Sequence, residues 1–150
     1  MIFILYEAFN QVVFAEKFDR EFVTLPDGGT MGFDWDGGIP DPNVEPEKPI
    51  LALVPGVAGD SDNMYQIALI RELRKEFKCV TILLRGAKGV RITSGLLNHP
   101  GSWEDIKFCV ELISEKYVKD PKTKQRRTRL YTYGCSMGAI ILGLYLVHEG

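Results

Sequence analysis

With 150 residues, 45% of them apolar and 25% charged, the chain has the size and make-up of one ordinary globular domain, which excludes a disordered polypeptide. A formal net charge of -2 gives no general reason to expect nucleic acid or an anionic membrane surface as partner. Three cysteines without CxxC spacing, Cys79, Cys109 and Cys135, read as buried thiols in a reducing compartment and argue against a cysteine-ligated metal.

The opening stretch "MIFILYEAFNQVVFAEKF" is apolar at first but lacks a basic n-region, and Glu7 interrupts it well short of a membrane-spanning length. No signal peptide and no transmembrane helix is expected from it; residues 1–19 are taken as an amino-terminal extension and 20–150 as the domain. Two short β-type runs, Phe22 to Leu25 and Met31 to Trp35, flank Pro26-Asp27-Gly28-Gly29, whose turn chemistry predicts a hairpin. A Pro-, Gly- and acid-rich surface loop then leads to "ILALV", an uninterrupted apolar run suited to a strand covered on both faces. After the loop "PGVAGDSDN", the segment "MYQIALIRELRKEF" predicts a helix whose apolar stripe is Tyr65, Ala68, Leu69 and Leu73. "CVTILL" is a second buried strand. The long loop "RGAKGVRITSGLLNHPG" precedes a helix with Ser102 as N-cap, Asp105 at the third helical position, and Ile106, Cys109, Val110 and Ile113 as its stripe. "TRLYTYG" is the third buried strand, and a helix runs from Met137 to His148. Strand, loop and helix repeated three times predict a parallel α/β sheet.

Gly134-Cys135-Ser136-Met137-Gly138 matches G-x-S-x-G, the nucleophile elbow. The serine of such an elbow sits on a strained, sharp strand-to-helix turn, where side chains two positions either side would collide with neighbouring chain. By composition alone the bare pattern arises in roughly one chain of this length in twenty. Here it falls at a predicted strand-to-helix junction, the context the motif requires. Acyl transfer also needs donors for the oxyanion, expected from the amide after the nucleophile and from the loop after the third strand; these are Met137 and Val57.

"DGGTMGFDW", "VPGVAGDSDNMY", "LRGAKGV", "NHPGSWED" and "YGCSMGAIILGLYLVHEG", in this order from about Arg20 to Gly150, resemble the YheT-like, embryogenesis-associated branch of the α/β-hydrolase superfamily. The resemblance implies an α/β-hydrolase fold and an esterase or lipase acting on acylglycerols, short-chain esters or phospholipids, with Ser136 as nucleophile and Val57 and Met137 lining the oxyanion hole. No cofactor is implied. Eukaryotic members often carry an amino-terminal membrane anchor, and nothing before Arg20 reads as one, so a cytoplasmic or peripheral-membrane protein is expected.

The departure from the family pattern is large. Its acid and histidine follow the serine on loops after later strands, and only fourteen residues follow Ser136. An incomplete fold is therefore expected: hairpin, parallel strands three to five with their helices, and strands six to eight absent. His148 lies twelve positions along the same helix, roughly 18 Å away along the axis, and is excluded as the base. His99 is on a loop at the same sheet edge as Ser136; a Ser136–His99 dyad oriented by Glu104 or Asp105 is one reading, a histidine that fastens its own loop the favoured one. The apolar circumference of "MGAIILGLYLV" and the unpaired edge of "LYTY" predict a surface needing cover, by a partner if not by further chain. Gly59-Asp60-Ser61 as a different serine-esterase block, dinucleotide binding, and phospholipid contact by "KDPKTKQRRTR" are weaker readings. A non-catalytic hydrolase remnant acting as a binding or structural subunit is the principal alternative to an ester hydrolase.

Overall fold

The computed structural model describes residues 16–149. Five strands form one sheet in the order β1-β2-β4-β3-β5: β1 Phe18–Thr24, β2 Thr30–Asp36, β3 Ile50–Val54, β4 Lys78–Leu83 and β5 Leu130–Gly134. β1 pairs antiparallel with β2, and β2 antiparallel with β4; β4, β3 and β5 run parallel. The helices are α1 Met64–Leu73, α2 Trp103–Ile113 and α3 Met137–Glu149, and α2 runs on into a π-helical turn, Ser114–Val118. The predicted hairpin is present and longer than read from sequence; its turn closes through Gly28 N–H to Leu25 C=O at 2.9 Å and Leu25 N–H to Gly29 C=O at 2.8 Å. Of the predicted extension, residues 1–15 lie outside the described residues, and β1 already begins at Phe18.

Side-chain alternation along the strands divides the core in two. Ile50, Ala52 and Val54 of β3, with Val80 and Ile82 of β4 and Met31, Phe33 and Trp35 of β2, pack with Ile106, Cys109 and Ile113 of α2 and Met137 and Ile141 of α3. Leu51, Leu53 and Cys79 face the other way, against Ile70 of α1. Each fully buried aliphatic side chain here contributes about 1.5–3 kcal/mol. The stripe Ile106, Cys109, Val110 and Ile113 is buried as its period implied.

Four local expectations need correction. The inward face of α1 is Gln66, Ile67 and Ile70; Tyr65 and Ala68 are exposed, while Leu69 and Leu73 pack only at the margin. The helix is apolar at so many positions that several stripes fit, and Gln66 looked like a surface residue; its amide instead donates to Thr81 Oγ1 at 3.2 Å. Ser102 stands at the N-cap without capping, because its hydroxyl accepts the His99 N–H at 2.9 Å. β5 is not a buried strand: Tyr131, Thr132 and Tyr133 are exposed along an edge that no described strand pairs. Cys135 is only half-buried, unlike Cys79 and Cys109, whose thiols burial pushes up, Cys79 to about 11. The all-round apolar helix is α3, which buries Met137, Gly138, Ile141 and Leu142 and leaves Ile140, Leu146 and Val147 exposed beside the β5 edge.

Candidate functional site

The register of the central strands creates the site. Val54, the last residue of β3, pairs with Gly134, the last of β5, so the loops that follow both strands leave the sheet side by side. The Cys135 N–H donates to the Val54 carbonyl at 3.1 Å and carries the pairing one residue past the strand. The chain then reverses at Ser136, whose φ of +51° lies in the left-handed region that costs an L-residue roughly 1–2 kcal/mol. Helix α3 begins at once, and the Ser136 carbonyl accepts the Ala139 and Ile140 amides at 3.0 and 3.2 Å.

The glycines of the motif have measurable reasons. A Cβ on Gly138 would stand 2.2 Å from the Val54 carbonyl oxygen and 2.6 Å from that of Pro55; one on Gly134 would stand 2.7 Å from the Ala139 nitrogen and the Gly138 carbonyl. A third glycine belongs to the same arrangement. At Gly56 a Cβ would lie 3.2 Å from Ser136 Cβ and 3.7 Å from its Oγ, so the loop after β3 passes directly against the serine. Ser136 is exposed, and among the described residues its hydroxyl has no hydrogen-bond partner. The Val57 and Met137 amides likewise have no protein acceptor among the described residues. Met137 is the first residue of α3, where an N–H is orphaned by helix geometry and the macrodipole favours negative charge.

Gly56 to Gly59 is a tight turn closed by Gly59 N–H to Gly56 C=O at 3.0 Å, with Ala58 third in the turn at φ +53°. That position suits glycine. Ala58→Gly is expected to be neutral or to stabilise by up to about 1 kcal/mol, and Ala58→Val to lose more than about 1 kcal/mol; equal unfolding midpoints for the two variants would contradict this turn.

Two polar clusters flank the same edge of the sheet. In one, Arg20 donates through Nε and Nη2 to Asp34 at 2.6 and 2.8 Å, the Ser61 hydroxyl also donates to Asp34, and Lys88 Nζ donates to Ser61 Oγ at 2.8 Å. Burial pushes the Asp34 carboxyl up, but the Arg20 and Ser61 hydrogen bonds outweigh it and hold the group below its ordinary value. In the other, Arg85 grips Asp105 at 2.7 and 2.8 Å and Asp27 at 2.7 and 3.0 Å.

These clusters decide several sequence readings. Ser61 is wholly buried and committed to Asp34 and Lys88, which removes Gly59-Asp60-Ser61 as a nucleophile block. Asp105 is held by Arg85 and is not turned to His99 as an orienter. His99 Nδ1 accepts the Gly101 N–H at 3.1 Å and the residue fastens its own loop; no hydrogen bond brings it to Ser136. His148 stacks on Trp103, ring centroids 4.5 Å apart. From the basic run, Arg127 ties down the Pro42 and Val44 carbonyls, and Lys119 and Lys124 pair with Glu115. A cleft of about 420 Å³, lined by Asp36, Ile50, Arg74, Phe77, Lys78 and Tyr117, opens at the other end of the sheet, where β3 and β4 begin. It has no part in the Ser136 arrangement. Among the described residues no group of His, Cys, Asp and Glu side chains could hold a metal ion, and no helix is long and apolar enough to cross a membrane.

The strand order, the helices and the β5-to-α3 turn define an α/β-hydrolase fold through its fifth strand. Structural comparison agrees: an esterase from Pyrococcus furiosus superimposes with a TM-score of 0.58 at 16% identity, over 87% of this chain and 46% of that one. Among curated proteins, abhd-3.2 of Caenorhabditis elegans is 34% identical over 89% of this chain and 33% of its own length. A monoacylglycerol lipase of Saccharomyces cerevisiae is 30% identical over 73% of this chain and 23% of its own, and the embryogenesis-associated protein EMB8 of Picea glauca 26% identical over 87% and 28%. The chain thus spans a third or less of the length of these relatives. No protein-family model matches it. The chain thus has the fold of the α/β-hydrolase superfamily as far as its fifth strand, the amino-terminal portion of that fold. Within the superfamily its resemblance is to the embryogenesis-associated, esterase- and lipase-like branch.

Proposed function

We propose that this chain carries the nucleophile and oxyanion hole of a serine carboxylic-ester hydrolase of the short-chain carboxylesterase or monoacylglycerol-lipase kind. One observation carries the reading: an exposed serine at φ +51° with the Gly56 backbone against it and the Val57 and Met137 amides without protein acceptors. In that reading Ser136 Oγ attacks the ester carbonyl carbon, an Oγ–C bond forms, and the carbonyl electron pair moves onto oxygen beside the two amides. Collapse expels the alcohol and leaves an acyl-serine. The Oγ proton needs a base, and His99 and His148 are both engaged elsewhere. Turnover by these residues alone is therefore expected to be weak, at the level that binding and oxyanion donors supply without a triad.

The test is covalent labelling with a fluorophosphonate, in which Oγ displaces fluoride from phosphorus and the serine proton passes to solvent. The expected result is one phosphonyl group at Ser136 by peptide mass spectrometry and none in Ser136→Ala; label elsewhere, or none, overturns the assignment. A second reading, a binding or structural subunit without catalysis, draws on the exposed Tyr131, Tyr133, Ile140, Leu146 and Val147, an apolar edge that a partner would cover. It predicts an unlabelled Ser136.

A further inference from the structure

The loop Pro55 to Asn63, which presents the Val57 amide, is pinned at one end by the elbow. There Gly138 lies against the Val54 and Pro55 carbonyls, too close for any side chain. Inside the loop, Ala58 is held in the left-handed region, a conformation that a loop free to relax would leave. Something must hold the other end. Ser61 does so: it is wholly buried, its hydroxyl donates to Asp34, and it receives Lys88 Nζ at 2.8 Å. Lys88 adds a 2.6 Å ion pair to Asp62 and lies 3.8 Å from Asp34. Lys88 is in turn fixed by the Arg20 hydrogen bond to its carbonyl, and it too has a positive φ, +39°. Three of the four described non-glycine residues with positive φ, namely Ala58, Lys88 and Ser136, therefore belong to the elbow, the loop or its anchor.

Energetics point the same way. Asp34 is 1% exposed, and a buried carboxylate among cations gives the fold little that well-packed apolar side chains would not. What such a cluster can supply is a fixed geometry, since each hydrogen bond in it is directional. An oxyanion donor works only within about 2.7–3.1 Å of the developing charge, and displacement by about 1 Å costs on the order of 100-fold in rate.

We propose that Asp34, acting through Ser61 and Lys88, is the positioning group that holds the Val57 amide against Ser136. The proposal rests on the assignment of Val57 as an oxyanion donor, and its test separates the two. In the full chain, Ser61→Ala, Lys88→Met and Lys88→Arg are compared by the rate of Ser136 phosphonylation, by iodoacetamide alkylation of the neighbouring half-buried Cys135, and by hydrogen exchange of the amides from Val57 to Asp62. Ser61→Ala and Lys88→Met are expected to slow phosphonylation by about 10–100-fold. They should speed loop exchange at least several-fold while Cys135 alkylation and exchange in β3 and β4 stay unchanged, and Lys88→Arg should retain both properties. Unaltered loop exchange in Ser61→Ala overturns the proposal. So does a parallel rise in β3 and β4 exchange, which marks general loosening, or an Arg variant as defective as the Met variant. If Ser136 of the unaltered chain takes no phosphonate, the proposed function fails, and the exchange arm by itself decides whether the link from Asp34 through Ser61 and Lys88 fixes the loop.

Discussion

Gly138→Ala is expected to destabilise the chain by more than about 3 kcal/mol, a large share of the total stability of a small domain. The added methyl would sit 2.2 Å from one carbonyl oxygen and 2.6 Å from a second, and both belong to the backbone at the end of β3. No rotamer change relieves such a clash. Either β3 and α3 separate or the Ser136 turn unwinds, and each route loses the packing of Met137 and Ile141 on the core. Gly143, on the same helix, is the internal control: nothing lies within 4 Å of a Cβ there, so Gly143→Ala should stabilise by about 0.5–1 kcal/mol. Urea unfolding of the two variants measures the contrast, and a Gly138→Ala midpoint equal to that of the unaltered chain would refute the close approach.

Arg85→Met is expected to cost about 2–4 kcal/mol. Arg85 is almost wholly buried and joins three separate segments: Asp27 from the hairpin turn, Ser94 from the loop after β4, and Asp105 from the first turn of α2. Its carbonyl also accepts from Asn98 at 2.8 Å. Without the guanidinium, two carboxylates are left without their cation. The variant should also change the response to acid. The Arg85 hydrogen bonds, followed by the Gly29 N–H, hold the Asp27 carboxyl well below the usual carboxylate range. A group depressed in the folded state contributes stability that is fully present above its unfolded pKa, near 4, and is lost as pH falls toward the folded value. Asp34, also lowered, acts in the same direction. The unaltered chain should therefore lose stability below about pH 4, and Arg85→Met should show a shallower loss across that window. Parallel acid limbs for the two proteins would remove Asp27 from the account.

The parts of the fold legible in the chain were those governed by near neighbours. "ILALV" is apolar at every position and became β3 with both faces covered; the α2 stripe at Ile106, Cys109, Val110 and Ile113 was buried in full. α1 was misread because Gln66 enters the core to meet Thr81, a partner fifteen residues away on β4, and no helical period announces such a partner. Ser102 was a plausible cap, but the preceding loop folds back and the His99 amide takes its hydroxyl. At the candidate site, Ser136, Met137 and Val57 could be named from motif and loop position. Asp34, Ser61 and Lys88 could not be joined to them. A carboxylate inside "GFDWD" was the one available sign, since an acid in a run of buried aromatic residues requires a partner.

By itself the amino-acid sequence determined the elements and the position of the sharp turn at Ser136, because periodicity, turn residues and glycine placement act over a few consecutive positions. Tertiary structure alone decided which distant groups met. The order β4-β3-β5 and the pairing of Val54 with Gly134 put Gly56 against Ser136, eighty positions apart in the chain. The same sheet brought Ser61 to Asp34, gave Asp105 to Arg85 and not to His99, and among the described strands left the outer side of β5 unpaired. The physical reason is that strand order and register convert separations of tens of residues into contacts of a few ångströms, and neither is encoded in any local stretch of chain.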